Sequence, residues 1–162
     1  MTRAGLGFDA HRLVAGRPLI LAGCRIEFAK GLEGFSDGDV VAHAIIDALL
    51  GAAGLGDCGT HFPACDPRYA NADSMQLLRT AVALLSESGF GIGNIDCTIV
   101  AEQPPLAPFV EAMRQNIAAA TRLRLDRCSV KAKRTEGLGF TGDGSGMAAY
   151  AAASIEEHHD TA

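Results

Sequence analysis

The sequence has no run of basic residues, no Cys-x-x-Cys pair and no long unbroken apolar stretch. The first absence argues against a nucleic-acid surface, which needs lysine and arginine gathered on one face. The formal charge of -5 agrees with that. An acidic chain can still hold an anionic substrate, but it must do so with metal ions, backbone amides and a few placed cations. The second absence argues against a disulfide framework. Cys24, Cys58, Cys65, Cys97 and Cys128 are odd in number and scattered, which suits reduced thiols in a cytoplasmic protein. The longest apolar run, Ala44 to Leu50, is interrupted by Asp47, so no membrane partner is expected. The opening MTRAGLGFDAHRL has neither the apolar region of a signal peptide nor the acid-poor character of a transit peptide.

What is present is a globular composition, 48% apolar and 20% charged over 162 residues. No repeat or low-complexity linker divides it, so residues 1–162 are expected to form one domain. Residues 3–10 read as a strand and Pro18 to Phe28 as a hairpin around Ala22-Gly23. Gly31 to Gly38 reads as a loop. Ser36 with Asp39 three residues on resembles a capping box, opening an almost wholly apolar and therefore buried helix that Gly54 and Gly56 stop. Asp57 to Ala72 reads as a long functional loop. A second helix spans Asp73 to Ser88, capped by Asp73 or Ser74. Ile95 to Ala101 is a strand ended by Pro104 and Pro105, and a helix from Pro108 reaches about Leu123. Cys128 to Lys133 alternates as a strand, and Thr135 to Gly146 is a glycine-rich loop. Met147 to Ile155 is ambiguous, since its alanines favour a helix while tight strand packing is also open. The order predicts an α+β sandwich, a mixed β-sheet with helices packed on one face.

Asp9 and His11 are two residues apart, which on a strand places both on one face. His43 lies in the buried helix, with Asp47 one turn on as a candidate acceptor for its second ring nitrogen. Two histidines and a carboxylate are a catalytic zinc set with a fourth position open for substrate. D-x-H is a weak pattern alone. A helical histidine is often a satisfied core residue, and Asp47 can instead bond nearby backbone. His61 fits either a site or a loop role; His158 and His159 sit in a polar tail.

Longer motifs narrow the choice. GFDAHRL at 7–13, SDGDVVAHAIIDALLGAAGLGD at 36–57, FPxxDP at 62–67 and KAKRTEGLGFTG at 131–142 resemble 2-C-methyl-D-erythritol 2,4-cyclodiphosphate synthases in order, spacing and length. The resemblance implies a homotrimer with active sites between neighbouring subunits, and a strand for the alanine-rich last segment. It implies ring closure of a cytidine diphosphate ester of methylerythritol 2-phosphate, with loss of cytidine monophosphate, in the non-mevalonate isoprenoid pathway. Asp9, His11 and His43 would bind zinc. Glu136 would hold magnesium or manganese, and Arg134 and Thr135 would lie at the transferring phosphates. Asp9, His11, Ser36, Asp57, Gly59, Phe62, Asp66 and Phe140 fall where the family holds the methylerythritol phosphate. Ala101, Pro104, Leu106, Ala132 and Lys133 fall where a neighbouring subunit holds the cytidine nucleotide.

The sequence departs from the family pattern at five positions. Phe35 stands for a histidine, Ala64 for an aspartate, Pro105 for a lysine, Arg134 for a threonine and Asp143 for an arginine. The metal ligands are untouched, but phosphate and nucleotide contacts change. Arg134 adds a guanidinium able to clamp phosphate and partly offset the cation lost at Pro105. Asp143 would repel an anion on the threefold axis. Two readings therefore stand beside the cyclase: a diverged paralogue acting on another phosphate ester, and a non-enzymatic trimer binding a nucleotide or isoprenoid.

Overall fold

The fourteen residues Thr2–Ala15 form β1, and their burial alternates, with Gly7 and Leu13 buried and Leu6 and Phe8 exposed. In a pleated strand that period of two means one face is covered and one is bare. The computed structural model describes residues 1–157; His158 and His159 lie outside the described residues. The short strands β2 (Leu19–Leu21) and β3 (Cys24–Ile26) pair as the expected hairpin. β4 (Lys30–Leu32) follows and pairs antiparallel with the end of β1, where only a loop was expected. Three residues with a glycine at their centre are too short for a pattern to register.

The covering layer is built on α1 (Val40–Ala53), whose apolar residues are buried nearly all round. Gly5 and Gly7 allow it to lie directly on β1. A Cβ on Gly7 would fall 1.9 Å from the Ala44 carbonyl oxygen, and one on Gly5 would fall 2.0 Å from that of Ala48. The cap of α1 differs from expectation. Asp39 itself is the N-cap and accepts from Val41 N and Ala42 N, both at 3.1 Å. It also accepts from Ala22 N and Gly23 N of the hairpin turn at 2.9 and 2.8 Å. Being fully buried, it joins hairpin and helix, and leaves Ser36 for another purpose. Gly54 ends the helix in the left-handed region, φ 73°, where glycine has no Cβ penalty.

Within the expected loop 57–72, Cys58–His61 form a single helical turn, α2, capped by Asp57. α3 (Ser74–Glu87) takes Asp73 as its cap, accepting from Met75 N at 2.9 Å. β5 (Phe90–Val100) begins earlier than expected. α4 (Val110–Thr121) starts after a short 3-10 turn at Ala107–Phe109. β6 (Cys128–Lys133) agrees with its alternation. The glycine-rich loop contains one more turn, α5 (Gly139–Gly142). The ambiguous last segment is a strand, β7 (Gly146–Glu157), as the family resemblance implied.

The main sheet runs β4-β1-β7-β5-β6, and β5 with β6 is its parallel pair. The chain is thus α+β, with a mixed sheet and helices packed against it. β7 lies between β1 and β5, and Ala149, Ala151 and Ala153 are buried under the helices. Central position, not intrinsic propensity, makes those alanines a strand. No helix among the described residues is long and apolar enough to cross a membrane.

Candidate functional site

Asp9 and His11 sit on the covered face of β1, as their spacing predicted, and α1 brings His43 to them. Asp9 Oδ2 lies 2.7 Å from His11 Nε2 and 2.9 Å from His43 Nδ1. One ligand atom from each residue lies within 4.8 Å of the others, the one such cluster among the described residues.

The outer nitrogens of both rings have partners that fix their protons. His11 Nδ1 faces the carbonyl oxygen of Glu33. A carbonyl only accepts, so Nδ1 carries the proton and Nε2 offers a lone pair. His43 Nε2 lies 2.9 Å from Ser74 Oγ and 3.1 Å from Ser36 Oγ. Ser74 spends its own proton on Asp37 Oδ1 at 2.5 Å. It therefore accepts from His43 Nε2–H, and His43 Nδ1 offers a lone pair. Two imidazole lone pairs and a carboxylate oxygen thus point at one small volume. Such donors repel one another unless a cation or proton lies among them, so the residues fit a metal site.

The electrostatics agree. Burial raises the Asp9 carboxyl, but an imidazole of His11 or His43 that carries a proton toward it outweighs burial and holds Asp9 well below the usual carboxylate range. Burial lowers His11, yet Asp9 and the Glu33 carbonyl more than offset this and leave it raised.

Asp47 does not support His43, contrary to one reading of the sequence. Its Oδ1 accepts from Cys58 N at 2.8 Å and anchors α2, the backbone role that was the alternative. The support comes from Ser36, Ser74 and Asp37. Ser74 reads from sequence as a helix-start serine, and nothing local announces that it reaches a histidine. Glu33 acts through its backbone, so its side chain carries no signal. Gly34 leaves room for the ring, since a Cβ there would come within 3.2 Å of His11 Cε1 and Nδ1. Arg17 donates to the Ser36 carbonyl at 2.8 Å and steadies that loop.

His11, Ser36, His43, Gly59 and Phe62 line one cavity of about 180 Å³, together with Phe35 and Ala64. Phe62 meets Tyr69 edge-on, centroids 5.5 Å apart. Phe140 lines a second cavity with His11, about 320 Å³. Asp57 and Asp66 line neither. Asp57 caps α2 through Thr60, and Asp66 holds Arg68 through Nε and Nη2. His61 bonds the Leu55 carbonyl at 2.7 Å and stays outside the cluster.

Ala101, Pro104, Leu106, Ala132, Lys133 and Arg134 line a third cavity, about 200 Å³, at the ends of β5 and β6. The register places it. Asp9 pairs with Ala149, Ala149 with Ile99, and Ile99 with Ala132. The Asp-His-His cluster and the third cavity therefore share one row of the sheet, three strand spacings or roughly 14 Å apart. Thr135 bonds Thr141 at 2.9 Å. Glu136 is exposed in the left-handed region, φ 53°, and is not part of the Asp-His-His cluster.

The model of the YgbB family matches residues 2–156. A 2-C-methyl-D-erythritol 2,4-cyclodiphosphate synthase of Pelotomaculum thermopropionicum is 52% identical over 155 residues, 96% of each chain. The fold superposes on the bifunctional IspDF of Campylobacter jejuni with a TM-score of 0.93 and 44% identity, covering 97% of this chain and 42% of that one. It matches a 2C-methyl-D-erythritol-2,4-cyclodiphosphate synthase in its CDP-bound form with a TM-score of 0.87 and 37% identity, over 95% of this chain and 100% of that one. With likeness running almost the full length in sequence and in fold, this chain belongs to the YgbB family of 2-C-methyl-D-erythritol 2,4-cyclodiphosphate synthases.

Proposed function

We propose that this enzyme converts 4-diphosphocytidyl-2-C-methyl-D-erythritol 2-phosphate to 2-C-methyl-D-erythritol 2,4-cyclodiphosphate and cytidine monophosphate, a step of the non-mevalonate isoprenoid pathway. The observation that carries this is the convergence of the Asp9, His11 and His43 donors beside an open cavity, in a chain whose relatives are named for that reaction.

The donor set selects the ion. Two neutral imidazoles and one carboxylate suit zinc, whereas magnesium prefers oxygen ligands. Asp9, His11 and His43 would hold zinc, and Glu136 with the substrate phosphates would hold magnesium or manganese. Bound there, the cations supply Lewis acidity and offset charge on the phosphoryl oxygens.

The protein needs no nucleophile of its own. An oxygen of the substrate's 2-phosphate bonds to the β-phosphorus, the bond from that phosphorus to the cytidylate oxygen breaks, and cytidine monophosphate leaves with the electron pair. The side chains contribute alignment and charge. Ser36, Gly59 and Phe62 wall the methylerythritol phosphate, with Asp57, Asp66 and Phe140 at its margins. Arg134 and Thr135 face the transferring phosphates. Ala101, Pro104, Leu106, Ala132 and Lys133 hold the nucleotide.

A homotrimer supports this division of labour. The face of the sheet away from the helices exposes Leu6, Phe8 and Tyr150, at 73, 48 and 46%. Phe8 and Tyr150 stack there with centroids 4.9 Å apart. A bare aromatic patch on a sheet favours association. The separation along the sheet row then lets one subunit's metal cluster face its neighbour's nucleotide cavity. Residues 1–162 would act as a single domain in each subunit. Five free thiols suit the reducing cytoplasm.

The test is to incubate the protein with the cytidine diphosphate ester, zinc and magnesium, and follow phosphorus resonances. Cytidine monophosphate and a cyclic diphosphate in equal amounts are expected; unchanged substrate would refute the assignment.

A further inference from the structure

Glu102 follows β5 and Arg134 follows β6. Because Val100 and Lys133 are paired in parallel register, the two residues leave the sheet side by side. Arg134 donates from Nε and Nη2 to the same oxygen, Glu102 Oε1, at 3.2 and 2.9 Å. Both line the cavity walled by Pro104, Leu106, Ala132 and Lys133. The other Glu102 oxygen, Oε2, is buried, and the backbone amides of Gly137 and Thr135 lie near the carboxylate.

Stability does not account for this arrangement. An ion pair whose arginine is 56% exposed contributes little to folding. What the pair does achieve is to fix a long, flexible side chain in one place. Glu102 takes the Nε side of the guanidinium, which leaves its outer N–H groups free. Among the described residues Lys133, next in the cavity wall, forms no ion pair, so the cavity holds two cations against one carboxylate. That balance suits phosphates at the Lys133–Arg134 end of the cavity, beside apolar walls of Ala101, Pro104, Leu106 and Ala132 that suit a base.

We propose that Arg134 is the residue by which this cavity distinguishes a nucleoside diphosphate from a nucleoside, and that Glu102 is its positioning residue. The inference rests on the assignment of the cavity to the cytidine nucleotide made above, and it adds a role for Glu102 that the sequence did not suggest. A guanidinium already held in place loses less freedom on gripping phosphate than a free one.

The experiment is calorimetric titration of the full-length protein with cytidine diphosphate and, separately, with cytidine. Arg134→Ala is expected to weaken the diphosphate by about 10–100-fold and to leave cytidine within about twofold. Arg134→Lys keeps charge but not the fork, and should recover only part of the loss. Glu102→Gln should weaken the diphosphate about 3–10-fold with Arg134 present and have no effect in the Arg134→Ala background. Equal effects of Arg134→Ala on both ligands, or equal effects of Glu102→Gln in both backgrounds, overturn the proposal while leaving the nucleotide site intact. Wild-type protein that binds neither ligand overturns the nucleotide assignment and this inference with it. Thermal melts of each variant separate loss of binding from loss of fold.

Discussion

Ser74 Oγ, at the start of α3, accepts the Nε2–H of His43 at 2.9 Å. The serine is held in turn by Asp37, so the tautomer of a helical histidine is set by a residue 31 positions away. Partners of this kind orient metal-binding imidazoles and raise their basicity. Ser74→Ala should lower zinc affinity by about 10–100-fold with little loss of fold. Competition against a chromogenic chelator measures this; an unchanged affinity would show that the hydroxyl does not orient the ring.

Removal of the ion should stop the reaction. Dialysis against a strong chelator is expected to abolish cytidine monophosphate release, and stoichiometric zinc to restore it. His43→Ala should lower turnover by more than about 100-fold, and added zinc should not rescue it. Full activity in metal-free protein, checked by elemental analysis, would contradict the whole assignment.

Close approach of α1 to β1 predicts opposite outcomes at two glycines. Gly7→Ala drives a methyl into the Ala44 carbonyl and should cost about 2–3 kcal/mol of stability. It also lifts His43 away from Asp9 and His11, so metal affinity should fall with it. Gly51, exposed on α1 with open space around it, should gain about 0.5–1 kcal/mol on conversion to alanine. Urea denaturation of the two variants reads both signs.

Thiol reactivity should follow burial. Burial, then the charges of Asp47, Asp9 and Asp57, push the Cys58 thiol up to about 12. The thiolate is the nucleophile, so at pH 8 only on the order of 1 in 10,000 of Cys58 is reactive. Its alkylation rate should climb about tenfold per pH unit through pH 10. Burial also pushes Cys97 upward, while Cys65 is exposed. Timed iodoacetamide labelling read by mass spectrometry should find Cys65 modified first at pH 8. Cys58 modified as quickly as Cys65 would mean that the loop opens.

The bare sheet face predicts an assembly that charge can break. Sedimentation of the wild-type protein should give three times the 16.8 kDa chain mass. Phe8→Asp beside Tyr150 should shift it to monomer and remove turnover, with the metal cluster still able to bind zinc. A variant that remains trimeric would place the interface elsewhere.

The sequence by itself determined where the three donors of the Asp-His-His cluster lie along the chain. D-x-H on a strand put Asp9 and His11 on one face and the apolar helix carried His43, because the periods of strand and helix decide which face each side chain takes. The hairpin, the three long helices and the β6 strand were likewise legible, since local periodicity and capping residues encode them. Three things required the folded chain. The alanine-rich β7 takes its state from lying between two strands, which no local propensity reveals. Asp39 displaced Ser36 as the cap because the hairpin turn supplied two more amides to its carboxylate. Ser74, Asp37 and the Glu33 carbonyl became the supports of the two imidazoles, and Glu102 became the partner of Arg134, through contacts between segments distant along the chain. Side-chain identity and spacing are properties of a segment. The proton on an imidazole nitrogen and the posture of a guanidinium depend on which other segment lies 3 Å away, and only tertiary structure decides that.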